Sequence, residues 1–257
     1  MITWVLLRGW ARDSRHWDSF PARLAGASPR GTRVITLDLP GNGVRHRDES
    51  PTTVEGMVSA YRVQLRALDV NEPIHLLGLS LGAMVAVEWA ARDPGAIASA
   101  VLVNCSAGGM SSWYERLRPL ALGHIAASVL APNDIARESR IATACTNLND
   151  VRALALRWAA YRVHARTSAR NALRQLAAAA HWKLPDQRLA VPTLVLASTA
   201  DRVVSLECSI AIARHWSLPL ALHPCAGHEI AADDPAWLVR QCTRWAAADV
   251  TDASPMS

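Results

Sequence analysis

Short, unbroken apolar runs recur along this chain, separated by helical patterns. The runs are Thr3–Leu7, Arg33–Leu37, Ile74–Leu77, Ala100–Asn104, Thr193–Ala197 and Leu218–His223. They do not alternate apolar with polar, which is how a strand covered on both faces reads. Helical patterns over Asp13–Ala25, Thr52–Leu68, Leu81–Ala91, Leu206–His215 and Asp234–Ala247 lie between them. Strand and helix in turn predict an α/β fold, a doubly wound, mostly parallel sheet of about six strands.

The rhythm breaks once. No strand pattern occurs between Ser111 and Trp182, where helical stretches follow one another with breaks at Ala131–Asn133, Asn147–Asp150 and Arg166–Ser168. The expected organisation is a core over 1–110 and 186–250, an all-helical lid inserted over 111–185, and a disordered tail over 251–257. At 257 residues, 51% of them hydrophobic, the chain has enough apolar surface for one such core.

One turn carries chemistry. Gly78-Leu79-Ser80-Leu81-Gly82 reads G-x-S-x-G, and it falls where the Ile74–Leu77 strand gives way to the helix from Leu81. Small residues on both sides of a serine permit a sharp strand–turn–helix. That turn lifts the hydroxyl to the helix N-terminus, where the dipole favours negative charge. A serine that merely caps the helix is the plain alternative. A serine hydroxyl is a weak nucleophile until a base takes its proton and an acid orients the base. Asp201 follows the Thr193–Ala197 strand and His228 follows the last one, so Ser80, Asp201 and His228 stand in the chain order this arrangement uses.

Together these residues resemble the α/β-hydrolase superfamily over nearly the whole chain, and the lidded carboxylesterases within it, carrier-protein methyl esterases among them. "LLRGWARDSRHW" (Leu6–Trp17) resembles the loop after the family's first parallel strand, "DLPGNG" (Asp38–Gly43) its D-x-P-G-x-G turn, and "DDPAWL" (Asp233–Leu238) the segment after its histidine. The resemblance implies a serine esterase acting through an acyl-enzyme, with an oxyanion hole made by the backbone N–H groups of Trp10 and Leu81. It implies no cofactor. Two departures stand out. Arg8 occupies the place where the family has His; it is expected to brace the loop against a carboxylate, with Asp38 the candidate, or else to reach the pocket. The family also places two antiparallel strands ahead of its first parallel one, and here the first run is already that strand. All strands are therefore expected to be parallel.

Tryptophan dominates the aromatic residues, ten against three Tyr and one Phe. Trp10, Trp113, Trp158 and Trp182 are candidates for the walls of a cleft under the lid, core packing being the alternative for each. The lid is also cationic. Ten arginines and one lysine face four acids between Met110 and Pro185, a net +7 against −2 for the remainder. The plain reading is a solvated helical face. The sharper one is a docking surface for an acidic carrier protein or a coenzyme A thioester. A thioesterase or carrier-linked ester hydrolase thus stands as an alternative function. A lyase and a non-catalytic binding protein are alternatives on the same fold.

Other classes fit poorly. "HPCAGH" (His223–His228) has no fourth ligand at zinc spacing, so no metal is expected. The arginines form no nucleic-acid signature. No apolar stretch reaches the length of a membrane span. Five scattered cysteines without CxxC spacing, and a start that lacks a basic leader, point to a cytoplasmic protein that binds neither nucleic acid nor membrane.

Overall fold

A computed structural model describes residues 2–70 and 73–252. Six strands form one sheet: β1 (Thr3–Leu7), β2 (Arg33–Leu37), β3 (Ile74–Leu79), β4 (Ile97–Val103), β5 (Thr193–Ser198) and β6 (Leu220–His223). Their order is β2-β1-β3-β4-β5-β6, and every neighbouring pair is parallel. Helices α1 (Phe20–Ala27), α2 (Val54–Arg66), α3 (Leu81–Arg92), α9 (Leu206–Trp216), α10 (Ile230–Asp233) and α11 (Pro235–Asp252) belong to the sheet layers. Between β4 and β5 come five helices in succession: α4 (Trp113–Arg116), α5 (Pro119–Val129), α6 (Asp134–Cys145), α7 (Val151–His164) and α8 (Ala169–His181).

The four central strands β1, β3, β4 and β5 read as continuous apolar runs because both faces are covered, whereas the edge strands β2 and β6 are only partly buried. Val5, Leu7, Leu76, Ala100, Leu102 and Val195 pack into one core with residues of α2, α3 and α9. Their alternate neighbours Trp4, Leu6, Leu77, Val101, Leu194 and Leu196 pack into a second core with residues of α1 and α11. Period-two alternation therefore splits each strand between two apolar layers. Two separate layers at about 25 cal/mol per Å2 supply the driving force that a sheet with one wet face would lack.

Several boundaries differ from the sequence-based expectation for local reasons. The helix expected from Asp13 begins at Phe20. Asp13 instead caps a short 3-10 turn over Ser14–Trp17, and Asp18 then takes φ 53°. Asp234 leaves helical geometry before Pro235, which divides α10 from α11. α11 runs through Asp252, two residues into the segment expected to be a disordered tail, and 253–257 lie outside the described residues.

The inserted helices are fastened to the loop after β1. Trp10 Nε1 donates to Ala172 O at 2.7 Å, and Gln175 Oε1 accepts from Ala11 N at 2.9 Å. Arg12 Nη1 donates to Glu138 Oε2 at 2.7 Å, with its guanidinium 4.2 Å above the Trp158 ring. A methyl group at Gly227 would overlap Cys145 O and lie 2.9 Å from Thr146 Cα, so the loop after β6 packs directly on the end of α6.

Candidate active site

Ser80 sits at the β3–α3 junction in a conformation that L-residues rarely adopt, φ 57° and ψ −117°. Such backbone costs on the order of 1–3 kcal/mol and persists only where neighbours enforce it. Here Ser80 N donates to Val103 O at 2.9 Å, and Ser80 O accepts from Ala83 N at 2.9 Å. The flanking glycines make the room. A methyl group at Gly78 would overlap Gly82 O, and one at Gly82 would overlap Leu7 O and lie 2.8 Å from Arg8 O. The Ser80 hydroxyl has no hydrogen-bond partner among the described residues.

Asp201 and His228 are brought together by the ends of β5 and β6. His228 Nδ1 and Asp201 Oδ2 are 2.7 Å apart, and both side chains are buried. Asp201 Oδ1 accepts from Val203 N at 2.7 Å and Val204 N at 3.0 Å, so the carboxylate is fixed from both sides. His228 titrates above the ordinary imidazole value. Burial works against its cation, but the Asp201 carboxylate outweighs that by charge and hydrogen bond, and Glu229 adds to it. A base held this way can take a proton on its other ring nitrogen.

The loop after β1 closes the other side. A Cβ at Gly9 would lie 3.4 Å from Ser80 Cβ, so this loop passes beside the serine. Leu81 N is the first donor of α3, and the Trp10 and Leu81 N–H groups donate to no group among the described residues. Two free donors at a helix start and an adjacent loop are what an oxyanion needs.

Arg8 does brace this loop, but against Glu229 rather than Asp38. Its Nη2 lies 2.7 Å from both Glu229 oxygens. Asp38 is occupied by backbone, accepting from Ser14 N at 2.7 Å and Val44 N at 2.8 Å. The pairing spans 221 positions, so no local pattern announces it. Asn104 also escaped sequence reading. At the end of β4, with φ 47°, its Nδ2 donates to His228 O at 2.8 Å and its Oδ1 accepts from Ser198 N at 2.9 Å. A polar residue closing an apolar strand was the available signal.

The tryptophans offered as cleft walls have these surroundings. Trp113 is 67% exposed on α4, edge-on to Tyr114. Trp158 is buried with Leu154 and Ala142 between α6 and α7. Trp182 is buried in the first core, its Nε1 donating to Glu88 Oε2 at 3.0 Å. Trp10 directly follows Gly9, whose backbone passes beside the serine. Among the described residues no group of three or more His, Cys, Asp or Glu is placed to hold a metal ion, and no helix is long and apolar enough to cross a membrane.

A parallel six-stranded sheet with a strained serine elbow after β3 and a His–Asp pair after its last two strands defines an α/β-hydrolase-type protein. The chain matches the α/β hydrolase family over residues 4–241 and belongs to it. It is 41% identical over 101 residues to the pimeloyl-[acyl-carrier protein] methyl ester esterase of Methylococcus capsulatus, a stretch that covers 38% of this chain and 35% of that protein. The chain thus spans well under two thirds of this curated relative. The fold is similar to an esterase from Exiguobacterium antarcticum (TM-score 0.78, 16% identity, 96% of this chain and 92% of that one). It is also similar to an esterase from Rhodococcus (TM-score 0.75, 23% identity, 96% and 90%).

Proposed function

We propose that this protein is a serine hydrolase of carboxylic esters. The observation that carries the reading is the buried 2.7 Å His228–Asp201 pair after β5 and β6, at the same C-terminal edge of the parallel sheet as the strained Ser80 turn after β3. In this mechanism Ser80 Oγ attacks the ester carbonyl while His228 Nε2 takes its proton. Asp201 keeps the other ring nitrogen protonated and supports the imidazolium. The Trp10 and Leu81 N–H groups receive the oxyanion. His228 then gives its proton to the leaving alcohol, and water releases the acyl group by the same route in reverse. Sequence likeness over 101 residues to a protein named as an acyl-carrier-protein methyl ester esterase supports an ester over an amide substrate.

A second reading keeps the chemistry and places the acyl group on an acidic carrier protein or coenzyme A. The cationic lid favours it, yet most lid arginines are already engaged. Arg157, Arg162, Arg166, Arg170 and Arg174 pair with Asp18, Asp134 and Glu49, and Arg116 and Arg118 donate to carbonyls. The side chains of Arg137, Arg140 and Arg152 make no such bond among the described residues, so docking would rest on these three, of which Arg140 and Arg152 are exposed. Initial rates on p-nitrophenyl esters from acetate to long chain, for wild type and Ser80→Ala, test the first reading. Turnover abolished by the substitution supports it, and turnover that survives the substitution overturns it. A kcat/KM on an acyl-thioester that falls steeply with salt and with Arg140→Glu/Arg152→Glu would favour the second.

A further inference from the structure

Two buried charges beside His228 have no part in the mechanism above. Arg8 directly follows β1 and Glu229 follows His228, with side chains 1% and 4% exposed. One guanidinium nitrogen serves both carboxylate oxygens at 2.7 Å. The Arg8 guanidinium lies 4.6 Å over the Trp17 ring, and its Nε and Nη1 have no acceptor among the described residues. Glu229 N donates to Cys145 O at 2.9 Å, so the far side of the carboxylate's own backbone is tied to α6. Desolvating two charges costs several kcal/mol each, and apolar residues of the same volume commonly serve stability as well. Stability alone therefore does not account for an ion pair here.

Its location does. Arg8 is directly followed by Gly9, which passes beside Ser80, and Trp10, whose N–H faces the proposed oxyanion. Glu229 is directly attached to His228. The pair is the side-chain bond that joins the oxyanion loop to the histidine loop. We propose that Arg8 and Glu229 are positioning residues that hold these two loops in register and balance the charge around the His228 ring. This rests on the assignment of His228 as the base.

The charges facing His228 are Asp201, bonded to Nδ1, then Glu229 and Arg8. Glu229 in turn faces Arg8, His228 and Arg12, and Arg12 is paired with Glu138. The Cys145 thiol lies close by and is neutral, since burial pushes it up to about 12. Glu229 favours the imidazolium and Arg8 opposes it. Removing the Glu229 charge while leaving Arg8 exposes His228 to an uncompensated cation, so the ring must lose its proton at lower pH. Removing both charges must return it toward wild type.

The experiment is an NMR titration of the His228 ring in wild type, Glu229→Gln, Glu229→Asp and Arg8→Gln/Glu229→Gln, paired with the pH profile of p-nitrophenyl acetate hydrolysis. Glu229→Gln is expected to lower the ring's pKa by about one unit, the scale of a nearby charge. Well below the wild-type acid limb, its kcat/KM then exceeds the wild-type value up to about tenfold at equal pH, once scaled to each plateau. Glu229→Asp keeps the charge and should titrate within a few tenths of wild type. The double variant should fall between wild type and Glu229→Gln, and it buries no unpaired charge, so it reads the pair even if the single variant is unstable. A part played only in stability would lower the melting temperature and leave the titrations together. Coincident titrations in wild type, Glu229→Gln and the double variant overturn the proposal, as does a Glu229→Asp shift as large as that of Glu229→Gln. The ring titration needs no turnover, whereas loss of hydrolysis in Ser80→Ala tests the nucleophile separately, so the two claims fail independently.

Discussion

Gly82→Ala would test whether the serine turn is held as tightly as its geometry implies. In an unobstructed helix the substitution stabilises by about 1 kcal/mol, because alanine loses less backbone freedom than glycine. Gly82 lies in the first turn of α3 with the end of β1 pressed against it. A methyl group there would overlap Leu7 O and lie 2.8 Å from Arg8 O. Both obstacles are backbone, so the strand or the helix must move, and overpacking of that kind costs about 3 kcal/mol. The net is a loss of about 2 kcal/mol, or a fall in Tm of about 4–8 °C for a domain of this size. Gly123→Ala supplies the opposite sign. It lies within α5 with nothing within 4 Å of the added methyl group, so it should gain about 0.5–1 kcal/mol. Calorimetric melts of both variants decide it. A Gly82→Ala protein that melts at or above wild type would refute the close approach of α3 to β1, and with it the reason Leu81 N faces the site.

Three further outcomes follow from particular contacts. Glu138→Ala leaves Arg12 buried between Trp158 and His16 without its carboxylate, and should cost about 3–5 kcal/mol in urea unfolding; a loss under 1 kcal/mol would mean the lid is not clamped there. Asn104→Ala strands His228 O and Ser198 N and places alanine at φ 47°, so denaturation should show a loss of about 2–4 kcal/mol, with a lower kcat on any ester turned over. Stability should fall on acidification from about pH 5 to 3. Burial opposes ionisation of Asp13, Asp134, Glu138, Glu229 and Asp234, but their hydrogen bonds and cationic partners outweigh it and hold them below the ordinary carboxylate range. The unfolded chain therefore takes up protons first, and the stability present above that range is lost as pH drops toward the folded values. Asp38, raised by burial, opposes the trend alone among the shifted carboxylates described, and a flat stability profile would contradict these pairings.

The sheet was legible because a strand covered on both faces leaves an unbroken apolar run, and the fully buried β1 begins and ends where its run does. The Gly78–Gly82 turn was legible because its geometry excludes larger side chains at both flanks. Asp201 and His228 could be placed because strand ends are readable, although the 2.7 Å contact between them is a product of topology. What failed was pairing across the fold. A count of lid charges does not disclose that Arg157 and Arg170 meet Asp18 and Glu49 on the core. An arginine after β1 calls for a carboxylate, but Asp38 is nearer in sequence and Glu229 nearer in space. The tryptophans were ambiguous for a related reason. An indole suits a pocket wall, a helix interface and a core equally, and only the packing of α6 on α7 put Trp158 in the second.

The most direct measurement of the central claim is covalent labelling with an alkyl fluorophosphonate, read by peptide mass spectrometry. One stoichiometric adduct on Ser80 is expected, its rate depressed at least about a hundredfold in His228→Ala and abolished in Ser80→Ala. No adduct on Ser80 in the folded protein, or labelling that proceeds undiminished without His228, would contradict it.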